Sequence, residues 1–193
     1  MGTKKLSETL LEEETKSLEW TLYTIGIFLD YYGMPHLKSH LAPFTFAIDI
    51  ANNMAGIPGD GNQVMSTVYS GDVAKFVVGS LDLEKWDKVS YIVGERFTFN
   101  ELVKRAEKVR GTKFKVTYDS VEQLQQGKIT ELPGHASLYA AFSKEGAQQF
   151  LGALGNFYVN GIFDLPTDNI LNAKLPGIKV TTVDDVLELW KGK

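Results

Sequence analysis

The 193-residue chain contains no cysteine, which removes disulfide frameworks and thiolate metal sites from consideration. Cysteine-free chains suit a reducing compartment. Histidine is scarce, with three residues, and the net charge is −4. The lysines are scattered rather than gathered into a stripe, so nucleic acid is not an expected partner. No apolar run approaches the roughly 20 residues of a membrane helix, and no membrane partner is expected. The opening residues, Met1 to Leu6, are too polar for a secretion signal, which makes the cytoplasm the expected location. Although there are 18 glycines, none falls in G-x-G-x-x-G or G-x-x-x-x-G-K-[ST]. No nucleotide cofactor and no metal is therefore expected.

What is present is an alternation of strand-like and helix-like segments. With 44% hydrophobic residues there is enough for one real core, and no linker divides the chain, so residues 1–193 are expected to form one domain. Residues 6–16 read as a charged amphipathic helix. Residues 19–28, with Trp20, Leu22, Tyr23, Ile25 and Ile27, read as a strand apolar on both faces, the mark of a sheet covered on two sides. Residues 44–51 and 63–69 are expected strands, with a hairpin between them at Pro58-Gly59 and Asp60-Gly61. Ser70 is placed to cap a helix over 71–81. Capping boxes begin at Thr98 and Ser120, the first of these helices ending at Gly111. Further strands are expected at 89–93, 114–118 and 178–181. A glycine-interrupted helix is expected over 137–157, and Thr182 caps a last helix over 183–190. This order argues a mixed α/β fold.

Several residues could carry chemistry. Asp30 follows the strand apolar on both faces, where open α/β sheets bind ligands, and it can equally cap the next helix. Tyr31 stands beside it. His135, after Pro133-Gly134, is either a general acid–base group or a loop histidine near a cap. His36 and His40 have i, i+4 spacing, but no carboxylate accompanies them and solvated loop positions suit them better. Asp49 lies inside an apolar strand and is expected to face water. Phe28, Tyr31, Tyr32 and Met34 form one aromatic-rich cluster in the sequence. Tyr139, Phe142, Phe157 and Tyr158 form another. If the two converge, they line a pocket for an aromatic or polyketide-type ligand with His135 at its rim.

The ordered set of segments resembles a family. Residues 18–22 (LEWTL), Gly26-Ile27-Phe28-Leu29-Asp30-Tyr31, residues 57–62 (IPGDGN), residues 70–76 (SGDVAKF), residues 91–94 with 98–102, and Phe163-Asp164-Leu165-Pro166 are similar in order to NmrA-like and isoflavone-reductase-like proteins, which are atypical short-chain dehydrogenases. The resemblance implies a truncated Rossmann-like α/β sheet carrying the family's C-terminal substrate-binding region, without the N-terminal NAD(P)-binding motif. Family reductases use a lysine in the helix before the LEWT strand; Lys4 and Lys5 lie near that place. A kept pocket and a missing cofactor loop make the expected function cofactor-independent isomerisation or cyclisation of an aromatic or polyketide-type metabolite. Asp30, Tyr31 and His135 would carry the proton transfer. A regulatory or binding module, and a fragment of an NAD(P)H-dependent reductase, are the alternatives. The strand at 19–28 leaves apolar surface to cover, so a homodimer is expected.

Overall fold

A computed structural model describes Thr9 and residues 19–193. The helix expected at 6–16, with Lys4 and Lys5, lies outside the described residues apart from Thr9.

The segment after Trp20 is two short strands, β1 (Leu22–Thr24) and β2 (Ile27–Phe28), rather than one. β1 pairs in parallel with β6 (Val89–Tyr91), and β2 pairs in parallel with β5 (Met65–Val68). The chain changes partner at Gly26, where a Cβ would lie 1.8 Å from the Ser66 carbonyl oxygen. Only glycine permits that approach. The neighbouring strand shows the same switch. After β6 the chain donates from Gly94 N–H to the Thr67 carbonyl (2.8 Å) and then runs as β7 (Glu95–Phe97), antiparallel to β5. Leu22 to Phe28 are all half-buried, so the cover expected on both faces is partial among the described residues.

A second sheet has β4 (Met54–Pro58) at its centre, antiparallel to β3 (Ile48–Asp49) and parallel to β8 (Lys115–Asp119). The hairpin expected at residues 58–61 is therefore absent. β4 and β5 belong to different sheets, and Gly59 and Gly61, both at positive φ, turn the chain between them. The strand expected at 44–51 shrinks to β3. Residues 178–181 find no strand partner; their role is served by one bond, Thr181 N–H to the buried Asp72 carboxylate (2.6 Å).

The helices are α1 (Asp30–Gly33), α2 (Ser70–Ser80), α3 (Phe99–Arg110), α4 (Val121–Gln125), α5 (Ala136–Ala141), α6 (Lys144–Val159), α7 (Leu171–Lys174) and α8 (Val183–Glu188). Both expected capping boxes form, and α3 ends on Gly111 at φ 66°. Thr182 caps α8. The long helix expected at 137–157 is broken at Phe142, and Ser143 caps its second part. Its glycines do not interrupt it. A Cβ on Gly152 would meet the Leu124 carbonyl at 2.6 Å, so this glycine lets α4 pack against α6.

The main core gathers Leu29, Tyr32, Phe46, Ile57, Phe97, Phe99, Leu151, Tyr158 and Leu187 between the β3–β4–β8 sheet and helices α3, α6 and α8. A smaller core of Val68, Phe76, Ile92 and Leu171 lies under α2 and α7.

Asp30 ties these parts together. It is fully buried. Its Oδ2 accepts the Ser70 N–H (2.8 Å), and its Oδ1 accepts the hydroxyls of Ser70 (2.6 Å) and Ser39 (2.6 Å). Ser70 does not cap α2 with its own side chain; the Asp30 carboxylate takes that place from across the sheet. A negative group there also meets the positive end of the helix dipole. Asp30→Ala leaves one N–H and two hydroxyls without their acceptor. It is expected to cost about 3 kcal/mol or more in urea unfolding, and a variant within about 0.5 kcal/mol of the parent would show the clamp to be dispensable.

Candidate functional site

Two adjoining cavities lie where the loop after α1 meets α5 and α6. The larger, about 670 Å3, is apolar and is lined by Tyr31, Leu41, Phe44, Leu138, Phe142 and Phe150 among others. The smaller, about 310 Å3, is more polar and is lined by Tyr31, Met34, Thr45, Asp49, Asn52, Gly134, Ser137 and Trp190 among others. Tyr31, Pro43, Phe44 and Ser137 are common to both.

Buried carboxylates hold two walls of this site. The Ser39 hydroxyl that donates to Asp30 also accepts Leu41 N–H (3.2 Å), and the Tyr69 hydroxyl donates to the Lys38 carbonyl (2.7 Å). These bonds pin the loop whose next residues, Leu41 to Phe44, form one side. Asp49 holds the other. Expected to face water, it is 4% exposed. Its Oδ2 accepts Gly134 N–H (2.7 Å), and both its oxygens accept from the Asn52 side chain (3.0 Å each). Its burial goes with the segment at 133–135, about 85 residues away, whose Gly134 N–H it accepts. Gly134 is needed there, since a Cβ would lie 2.3 Å from the Thr45 hydroxyl oxygen.

An aromatic line crosses the larger cavity. Ring centroids are 6.2 Å apart for Phe28 and Tyr31, 5.2 Å for Tyr31 and Phe44, and 6.1 Å for Phe44 and Phe150. Edge-to-face pairs of this kind fix ring positions. The Tyr31 hydroxyl pKa is raised, first by burial and second by the nearby Asp30 charge, so the phenol stays protonated at neutral pH.

The sequence clusters thus meet in part. Tyr31, Met34 and Phe142 line the cavities, and Phe28 backs Tyr31. Tyr139 is on α5, but its ring lies beside His135 (6.2 Å) rather than in a cavity wall. Tyr32 and Tyr158 are core residues, and Tyr158 donates to the Gln63 carbonyl (2.6 Å). Phe157 is exposed on α6 and lines neither cavity. Thr45, Phe44, Leu138, Phe150 and Trp190 escaped sequence reasoning. Phe150 carried a usable signal, since it shares a helical face with the exposed Phe157, seven residues on.

His135 is not at a rim. It is 1% exposed, its Nδ1 accepts Leu132 N–H (3.2 Å), and its Nε2 bonds the Phe46 carbonyl (3.2 Å). That pairing requires the neutral ring with the proton on Nε2. His36 is exposed and sets its ring edge to face with Trp190 (4.7 Å), while His40 is an exposed loop residue. No group of three or more His, Cys, Asp or Glu side chains among the described residues could hold a metal ion.

A dinucleotide is held by free N–H groups at a helix start, which attract its diphosphate. Here two of the helix starts that follow strands, those of α2 and α3, are filled by carboxylates, and that of α4 is capped by Ser120 and Gln123. Asp30 sits at α2, Glu101 at α3, and Asp185 with Glu95 at α8. At α2 and α3 a carboxylate stands where a diphosphate would go.

No family model matches the chain. Among curated proteins it is 32% identical over 178 residues to the oxidoreductase swnN of Metarhizium robertsii, covering 87% of this chain and 50% of that protein. It is 33% identical over 153 residues to the oxidoreductase BOA1 of Botryotinia fuckeliana, covering 76% and 49%. The chain spans about half the length of these relatives. Among solved structures, isoflavone reductase superposes with a TM-score of 0.67 at 20% identity, over 95% of this chain and 56% of that one. The fold is that of the isoflavone-reductase-like reductases. The structure of AtPrR2 with NADP+ and (+)-pinoresinol gives the same TM-score and identity, over 97% of this chain and 55% of that one. The Rossmann-like α/β class read from the sequence is therefore correct. No helix among the described residues is long and apolar enough to cross a membrane.

Burial lowers the His135 pKa below its ordinary 6.5. The unfolded chain takes up a proton near pH 6.5 that the folded chain refuses. Stability contributed by this residue is thus present above pH 6.5 and is lost as the pH falls below it, by at most about 1.4 kcal/mol per pH unit. Urea titrations from pH 7.5 to 5 should show this slope. A His135→Gln variant should lack it, and an unchanged slope in that variant would place the effect elsewhere.

Proposed function

We propose that this chain supplies the substrate pocket of a reductase-type protein and binds an uncharged aromatic or polyketide-type metabolite. The observation that carries the proposal is the apolar cavity of about 670 Å3, walled by Tyr31, Leu138, Phe142 and Phe150. Its volume is in the range of small-molecule sites. It lies on a fold that, in a structural neighbour, accompanies an aromatic ligand and NADP+. The names of the fungal relatives, both oxidoreductases, support a redox reaction class. With carboxylates at the starts of α2 and α3, the chain's own share in this reading is the ligand pocket rather than the nucleotide cradle.

A cofactor-independent isomerase or cyclase would need an acid and a base facing the ligand. Asp30 and His135, the groups suited to those roles by sequence, are buried and committed to structural hydrogen bonds. Tyr31 alone of the three lines the cavity.

A thermal-shift panel of fused-ring aromatics and flavonoids, with NADPH alongside, tests the proposal. Aromatic ligands are expected to stabilise the protein saturably, with affinity about tenfold weaker in Phe150→Ala, and NADPH is expected to give no shift. Absence of any saturable aromatic binding, or a micromolar dissociation constant for NADPH, would overturn it. The half-buried Leu22 on β1 and Ile25 just after it further support self-association as a twofold dimer. Light scattering that shows a stable monomer at micromolar concentration would refute that part alone.

A further inference from the structure

The walls of the two cavities contain no lysine, arginine or histidine, and their one charged side chain is the buried Asp49. An anionic ligand would meet the Asp49 charge there, while the Arg110 guanidinium, behind the wall over the Trp190 ring, is taken up by the Asn53 side chain and the Ala51 and Lys193 carbonyls. Asp49 itself is already supplied with donors by Asn52 and Gly134. Ser137 donates to the Gly134 carbonyl (3.2 Å). Two wall hydroxyls have no hydrogen-bond partner among the described residues, those of Tyr31 and Thr45, and both border the smaller cavity. The contact of Thr45 with Gly134 keeps it at the polar end, beside Asp49. Tyr31 borders both cavities.

Resting on the pocket assignment above, we infer that the two cavities take one uncharged ligand end to end. Its fused rings lie in the larger cavity, and a carbonyl oxygen at its end accepts from the Tyr31 and Thr45 hydroxyls. The substrate class is a neutral aryl or polycyclic ketone, and carboxylates and phosphates are excluded. Because Tyr31 stays protonated at neutral pH, it acts towards this oxygen as a donor.

Three probes of one shape separate the possibilities: 2-acetylfluorene, 2-ethylfluorene and fluorene-2-carboxylate, titrated calorimetrically. In the parent protein the ketone should bind at least as tightly as the ethyl compound, although more water must be stripped from it. The carboxylate should bind at least tenfold more weakly than the ketone. In Tyr31→Phe/Thr45→Val the ketone-to-ethyl affinity ratio should fall by roughly fivefold or more, the size of one to two lost hydrogen bonds. Ethylfluorene affinity should stay within about twofold, which also reports that the variant is folded. A ratio unchanged by the double variant, or a carboxylate that binds as well as the ketone, would overturn the inference. It would leave the pocket assignment standing as long as ethylfluorene binding remains sensitive to Phe150→Ala. Failure of all three probes to bind would remove both.

Discussion

Two buried aspartates, Asp30 and Asp49, each accept a backbone N–H from a distant part of the chain, and the pocket exists because they do. Neither has a cationic partner within salt-bridge distance among the described residues. A buried carboxylate in that position is tolerable only when donors surround it. Asp30 receives three and Asp49 receives donors from both Asn52 and Gly134. The bonds are charge-assisted, each contributing roughly 1.5–3 kcal/mol net. They do what a ladder of short strands cannot. β2 and β3 have two residues each, too few to fix the loops that follow them.

Local chemistry was legible in the sequence. Thr98, Ser120 and Thr182 cap helices through atoms three residues away, and Gly111 ends a helix by its own backbone freedom. The aromatic residues of the α1 turn and of the α5–α6 junction were visible as pocket material, and Tyr31 and Phe142 do share a wall. Pairing was less legible. The change of partner at Gly26 is decided by the Ser66 carbonyl, 40 residues away, and the separation of β4 from β5 by strands β8 and β7 that arrive later in the chain. Periodicity over a ten-residue window contains neither fact.

The polar residues failed for the same reason. Whether Asp49 faces water or core depends on Gly134, and whether His135 is an acid–base group or a structural ring depends on Phe46. Both candidate roles for Asp30 were open in the sequence. The cap it provides is for α2, beginning 40 residues downstream, rather than for the helix it begins. A short polar side chain in an α/β chain is read correctly only with its partner in view, and for these residues the deciding partner is remote.

The crowding at Gly134 makes the cavity's two ends unequal as material for variation. At the polar end Gly134 is hemmed in by Thr45 and bonded to Asp49, so that a side chain added there would disturb both. At the opposite end Phe142, between α5 and α6, and Phe150, on α6, are about half exposed, and α6 packs through the face of Ala147, Leu151 and Tyr158. Substitutions there alter the shape of the chamber with little strain on the scaffold. A designer who wished to change which ring system the pocket accepts would work from the helical side and leave the oxygen-binding end alone, obtaining a series of proteins that differ in the skeleton they prefer but share one functional-group requirement.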